Sequence, residues 1–183
     1  MKTIFSLLVS VILLSSCSSE PSLQKYLVDK DSNRHFITAS VSSDLLVPNF
    51  EKLKVEEQES IKKIRKINML ALKSNVEEVD FEGEKTKVLE ILKKSEYKSL
   101  IEFNGQDLQA QFLYSGSEEK IEEMIFFGAD DNTGMLLVRM LGEKLNPNDL
   151  VKLMEMADEM ELEEFESFGQ MLGESFENEK MIK

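Results

Sequence analysis

The sequence holds a single cysteine, a single histidine, no tryptophan and three prolines in 183 residues. One cysteine excludes a disulfide framework and any thiolate-rich zinc site. One histidine excludes an HExxH motif and any metal centre built from several imidazoles. Positive charge is scarce as well: 22 Lys and Arg stand against 35 Asp and Glu, a formal net charge of −13. That balance argues against nucleic acid as a partner, because affinity for phosphate comes largely from Lys and Arg. There is no GxSxG elbow and no glycine-rich phosphate loop with its lysine. No apolar run reaches the ~20 residues that an ordinary membrane-spanning helix needs. What remains, 42% hydrophobic and 31% charged, is the composition of one globular domain with a sizeable core.

The most specific signal lies at the N-terminus. Met1-Lys2-Thr3 gives a short basic start, and the stretch from Ile4 to Leu14 is apolar except for Ser6 and Ser10. This has the length of the apolar region of a signal peptide, and small residues follow it. Those residues, Leu14-Ser15-Ser16-Cys17, resemble the lipobox of bacterial lipoproteins: an aliphatic residue, two small ones, then cysteine. The resemblance implies cleavage between Ser16 and Cys17, with a diacylglycerol on the Cys17 sulfur. Two or three acyl chains, at ~0.8 kcal/mol per buried methylene, hold a protein firmly on a bilayer. Residues 1–16 therefore read as a signal peptide and 17–22 as a lipidated polar tether. No aspartate follows Cys17, which by the familiar sorting pattern implies the outer membrane; the run also lacks the acidic cluster that some lipoproteins use for surface export, so the domain is expected to face the periplasm.

Residues 23–158 read as an α+β globular domain. Leu23, Tyr26 and Leu27 have helical spacing; residues 36–41 and 65–72 alternate as strands. Leu45, Leu46, Phe50 and Leu53 suggest a helix bent near Pro48, and 55–63 is charged enough to be loop or helix. Val88, Leu89, Ile91 and Leu92 mark an amphipathic helix after Gly83. From Tyr97 onward turn residues punctuate short strands. They are Asn104-Gly105, read as a two-residue hairpin turn with positive φ, then Ser115-Gly116-Ser117, then Asp130 to Gly134. Asn146-Pro147-Asn148-Asp149 has the chemistry of a helix start, with Leu150, Leu153, Met154 and Ala157 as its apolar stripe. The expected architecture is a mixed sheet ending in a four-stranded antiparallel meander, with helices packed on one face and an acidic C-terminal helix.

Several stretches together resemble an uncharacterised family of bacterial putative lipoproteins of the DUF4252 type. They are the lipobox, Ile67-Asn68-Met69-Leu70, Tyr97-Lys98-Ser99-Leu100, the strand from Glu122 to Phe127, and Leu137-Val138-Arg139-Met140-Leu141-Gly142 followed by Asn146-Pro147-Asn148-Asp149-Leu150. The likeness covers roughly 23–157 and implies no activity, cofactor or catalytic residue.

Candidate chemistry is thin. His35 would need a carboxylate orienter and a nucleophile within reach, and no triad spacing surrounds it. Asp130-Asp131-Asn132-Thr133-Gly134 looks like part of a calcium loop, but Met135 and Leu141 stand where such a loop needs glycine and glutamate. It reads as a turn. Eight of the ten methionines fall after residue 120, at spacings that suit core packing better than a soft-metal site. No catalytic, metal or cofactor site is expected.

Residues 159–183 form an acidic amphipathic tail. Phe165, Phe168, Leu172 and Phe176 recur at i, i+3, i+7 and i+11, one stripe of a helix whose other faces are mostly acidic. The stripe must find apolar surface, on the domain or on a partner, and the tail is expected to lie at the periphery of the core. Gly169 and Gly173 have GxxxG spacing in a setting too charged for a membrane dimer. Two functions compete. One is a non-enzymatic envelope lipoprotein, anchored through Cys17, that binds an envelope protein or senses envelope state. The other is a periplasmic carrier of a small apolar ligand. A deep apolar cavity would favour the carrier; a filled core with one exposed apolar strip would favour the binder.

Overall fold

The computed structural model describes residues 21–42, 50–94, 96–106, 108–149 and 152. Among these residues three complete helices, α1 (Leu23–Asp31), α2 (Val55–Lys63) and α3 (Phe81–Leu92), accompany six strands. The strands are β1 (Ile37–Ser42), β2 (Ile64–Lys73), β3 (Lys98–Asn104), β4 (Leu108–Ser117), β5 (Lys120–Asp130) and β6 (Gly134–Leu145). They make one sheet in the order β1-β2-β6-β5-β4-β3. Every pairing is antiparallel, so the expected mixed sheet is corrected to a wholly antiparallel one. The four-stranded meander is present as β3 to β6.

Each helix starts where a side chain satisfies its free N–H groups. The Ser22 hydroxyl accepts from the Lys25 N–H, the Asp80 carboxylate accepts from the Gly83 N–H, and Glu57 reaches back to the Lys54 N–H at 2.8 Å. The charged stretch 55–63 is thus a helix, and its apolar Ile61 faces inward. Of the expected bent helix, 43–49 lies outside the described residues, and Phe50–Lys52 forms a single 3-10 turn.

The sheet is packed on both faces, which corrects the expectation of helices on one. On the first face, α1 and α3 bury Leu23, Leu27, Val88, Ile91 and Leu92 against Leu70, Leu72, Ile125, Phe127 and Leu137. On the second, Leu53 and Ile61 of the α2 region cover Ile67, Met124 and Met140. The reason is legible in the strand cores: Met69-Leu70-Ala71-Leu72 and Ile125-Phe126-Phe127 are continuous apolar runs, and side chains alternate between faces. Met69, Met124, Met135 and Met140 are all core residues, as their spacing implied.

The turns hold one correction. β3 and β4 do form a hairpin, with Asn104 opposite Gln109. Gly105, however, does not have positive φ; its N–H donates to the Leu108 carbonyl across a longer loop. Positive φ falls instead at Gly116, within a bulge before the Glu118-Glu119 turn, and at Gly134, which opens β6. Asp130 Oδ1 accepts from the N–H groups of Asn132 and Thr133 and from the Thr133 hydroxyl, which is the turn reading of that acidic loop.

Candidate functional site

Strand register places apolar residues in rows across the second face. One row runs Ile101, Phe112, Phe126, Val138, Met69, Ala39 from β3 to β1. The next runs Phe103, Ala110, Gly128, Leu136, Ala71, Ile37. A third, Tyr114, Met124, Met140, Ile67, Val41, lies under the α2 region and is buried throughout. The first two rows are closed at their centre by Met69, Ala71 and Leu136 and open toward β3. Phe112, Phe126 and Val138 are half-buried, Phe103 is 41% exposed and Ile101 64%. The small residues at Ala110 and Gly128 leave room for aromatic neighbours, and the Phe126 ring leans over Gly128.

β3 is also an edge strand, and all seven of its residues are exposed. An edge strand presents unpaired backbone N–H and C=O groups to any chain that approaches in extended form. Lys98 and a register shift between Ser99 and Ile101 blunt its first half; from Ile101 to Asn104 the pairing is regular. The other edge, β1, is less available. Val41 is buried, Thr38 and Ala39 are half-buried, Thr38 bonds Asp31 of α1, and Ser40 accepts from Asn68. Sequence reasoning found β3 as a strand but not as a site, because edge position depends on strand order and no local residue pattern encodes it.

Two polar clusters sit on the first face. Glu84 of α3 accepts from the Tyr26 hydroxyl at 2.9 Å, from Lys30 at 2.9 Å and from Lys87 at 2.7 Å. Burial alone would raise the Glu84 carboxyl, but the bonds from Lys87, Lys30 and Tyr26 outweigh it and hold the pKa below the usual range. Burial, reinforced by the Glu84 charge, pushes the Tyr26 phenol well above its ordinary value. Lys30 also lies 5.0 Å from the centre of the Phe36 ring. Each group is paired, so the cluster clasps α1 to α3. In the second, Arg139 of β6 bonds Glu123 of β5 at 2.7 Å and Gln24 of α1, and Tyr97 beside it is pushed up by burial and then by Glu123. This pair too is neutralised internally.

His35 is half-exposed; its ring meets the Arg34 guanidinium and its backbone N–H donates to Asn33, so the contacts described supply no catalytic base geometry. Among the described residues no cluster of three His, Cys, Asp or Glu could hold a metal ion, and no helix is long and apolar enough to cross a membrane. A half-open cleft of about 260 Å³ between α1 and α3 is edged by Lys25, Asp29, Lys87 and Glu90. It is smaller than typical ligand pockets of ~300–1,000 Å³ and too charged at its rim for an apolar cargo. Cys17, Ser16, Phe165, Phe168, Leu172 and Phe176 lie outside the described residues.

An antiparallel sheet with a filled core on its first face and a core open toward β3 on its second defines an α+β domain without an assembled catalytic set among the described residues. The chain belongs to the family described as Domain of unknown function (DUF4252), whose model matches residues 30–153. Neither the curated proteins nor the solved structures returned a match.

Proposed function

We propose that this protein is a non-enzymatic envelope lipoprotein whose domain binds a protein partner by strand addition at β3. Its anchor is Cys17, lipidated after cleavage of residues 1–16, and its place is the outer membrane, facing the periplasm. The Leu14-Ser15-Ser16-Cys17 sequence supports that placement. The observation that carries the binding reading is the β3 edge, exposed along its whole length with Ile101 and Phe103 uncovered beside it. An extended partner segment adds backbone hydrogen bonds to such an edge, and alternate side chains fill the apolar surface next to it. The tether joins the domain at Pro21 and Ser22, against α1 on the first face. The apolar strip lies on the other face, so anchoring does not occlude it.

The test is capture from cross-linked envelopes with the native chain and with a Leu100→Lys/Glu102→Lys variant. Lysines on an edge strand discourage pairing with another strand. The expected result is that proteins enriched by the native chain are lost with the variant while lipid attachment persists. An unchanged set of captured proteins contradicts the β3 site.

A further inference from the structure

One hydrogen bond at the end of β3 sets which backbone groups the edge turns outward. The Gly105 N–H donates to the Leu108 carbonyl at 2.8 Å, one step beyond the pair formed by Asn104 and Gln109. Directly opposed residues of an antiparallel pair alternate: one pair exchanges backbone bonds, and the next turns those groups away. Counting back from Gly105, Phe103 and Ile101 therefore bond inward, to Ala110 and Phe112 of β4. Glu102 and Asn104 turn their N–H and C=O groups outward. Before Ile101 the register shift breaks the series, so these four groups are the regular part of the open edge.

The side chains sort with the same period. Ile101 and Phe103 stand on the second face, in rows with Phe112 and Ala110; Glu102 and Asn104 stand on the first, in rows with Gln111 and Gln109. All four are exposed. Glu102 has no ion pair or side-chain hydrogen bond, so its charge is not neutralised within the chain. A strand added antiparallel would place one residue directly opposite each of the four, with its side chain on the same face. Opposite charges so placed stabilise the pairing, like charges oppose it, and apolar neighbours pack together. A basic residue therefore fits opposite Glu102, and large apolar ones fit opposite Phe103 and Ile101. The net charge of −13 draws a basic segment toward the chain from a distance. Antiparallel addition also lets Glu102 and Asn104 each exchange two backbone bonds with a single residue, whereas parallel pairing is slightly weaker per residue.

We infer that the strand received at β3 is an antiparallel segment whose order is polar, apolar, basic, apolar, with its lysine or arginine paired to Glu102. The polar residue falls opposite Asn104 and the apolar two opposite Phe103 and Ile101. This inference rests on the β3 reading and specifies the chemistry of the partner.

The test uses the purified full-length chain and end-blocked, fluorescein-labelled peptides. One is centred on Thr-Phe-Lys-Val, the second on Thr-Phe-Glu-Val, and the third is the lysine peptide with a methyl group on the lysine backbone nitrogen. Anisotropy is read in 0.15 M salt, where the Debye length is ~8 Å and charges distant from Glu102 are screened. The lysine peptide is expected to bind about three- to tenfold more tightly than the glutamate peptide. Glu102→Gln is expected to bring the two together, and N-methylation to abolish binding, because that N–H is the donor to the Glu102 carbonyl. Equal binding of the two charged peptides to the native chain, with loss on N-methylation, would overturn the charge pairing and leave the β3 edge standing. A lysine preference that persists in Glu102→Gln would place its cause elsewhere and overturn the inference as well. So would binding of neither peptide at millimolar concentration while the β3-dependent capture from envelopes succeeds; failure of both experiments would remove the β3 reading itself.

Discussion

Lys63 Nζ lies 3.1 Å from Asp149 Oδ1, tying the last turn of α2 to the first residues beyond β6 across 86 positions of sequence. Asp149 is 2% exposed, and its other oxygen accepts the Asn146 N–H, so one carboxylate both caps a helix and fixes its direction.

Asp149→Ala is therefore expected to cost about 2–3 kcal/mol, from the lost cap together with a lost charge-assisted bond. Lys63→Ala, at a side chain one-third exposed, is expected to cost about 1 kcal/mol. Denaturant unfolding of both variants checks the order. Equal losses would mean that the cap contributes nothing beyond the ion pair.

Acid should weaken the clasp between α1 and α3. The Glu84 carboxyl is held below its ordinary pKa, so its stabilisation is full above ~4.3, the unfolded value, and is lost as pH falls through the folded one. Tyr26 has the opposite sense: its raised pKa gives a contribution that is full below ~10 and declines only above it. Between those limits the clasp is constant. Glu84→Gln is expected to flatten the acid limb of a stability-versus-pH curve below about pH 5 and leave the alkaline limb in place. An acid limb as steep as that of the native chain would assign the effect to other carboxylates.

Two glycines should respond differently to a side chain. Gly134 has φ +140°, and a Cβ there would stand 2.2 Å from the Leu72 carbonyl oxygen, so Gly134→Ala is expected to cost more than about 2 kcal/mol. Gly105 has ordinary φ, and its nearest neighbour would be a movable Phe103 ring atom at 3.0 Å. Gly105→Ala is expected to cost less than about 1 kcal/mol. Thermal melts of the two variants that coincide would contradict the difference in backbone conformation.

Cys17→Ala is expected to abolish incorporation of a fatty-acid probe and to leave the domain folded, because the described core begins at Leu23. Retained label would remove the lipoprotein reading altogether.

Much of the architecture can be read from local chemistry. The meander follows from turn residues between alternating strands, and the cap at Asn146 and Asp149 is complete within four residues. Sheet handedness of pairing is different: β1 and β2 are joined through α2, and nothing in residues 43–63 fixes them as antiparallel neighbours. That both faces are covered can be traced to continuous apolar runs such as Met69 to Leu72, but those runs do not say which helix covers which face, and the expectation of helices on one face missed them. Gly105 misleads because Asn-Gly also fits longer loops, whereas Gly134 is forced by the Leu72 backbone, a contact far off in sequence. The β3 site is harder still. Ile101 and Phe103 read as ordinary strand residues until the strand order puts them at an edge.

The claim that β3 is the binding edge is tested most directly by photocross-linking in living cells, with p-benzoylphenylalanine placed at Glu102 of β3 and, separately, at Ser40 of β1. Both positions are exposed on the first face, opposite the Ile101 and Phe103 strip. The account predicts a discrete adduct with another envelope protein from Glu102 and none from Ser40. No adduct from Glu102, or the same set of adducts from both edges, would contradict it.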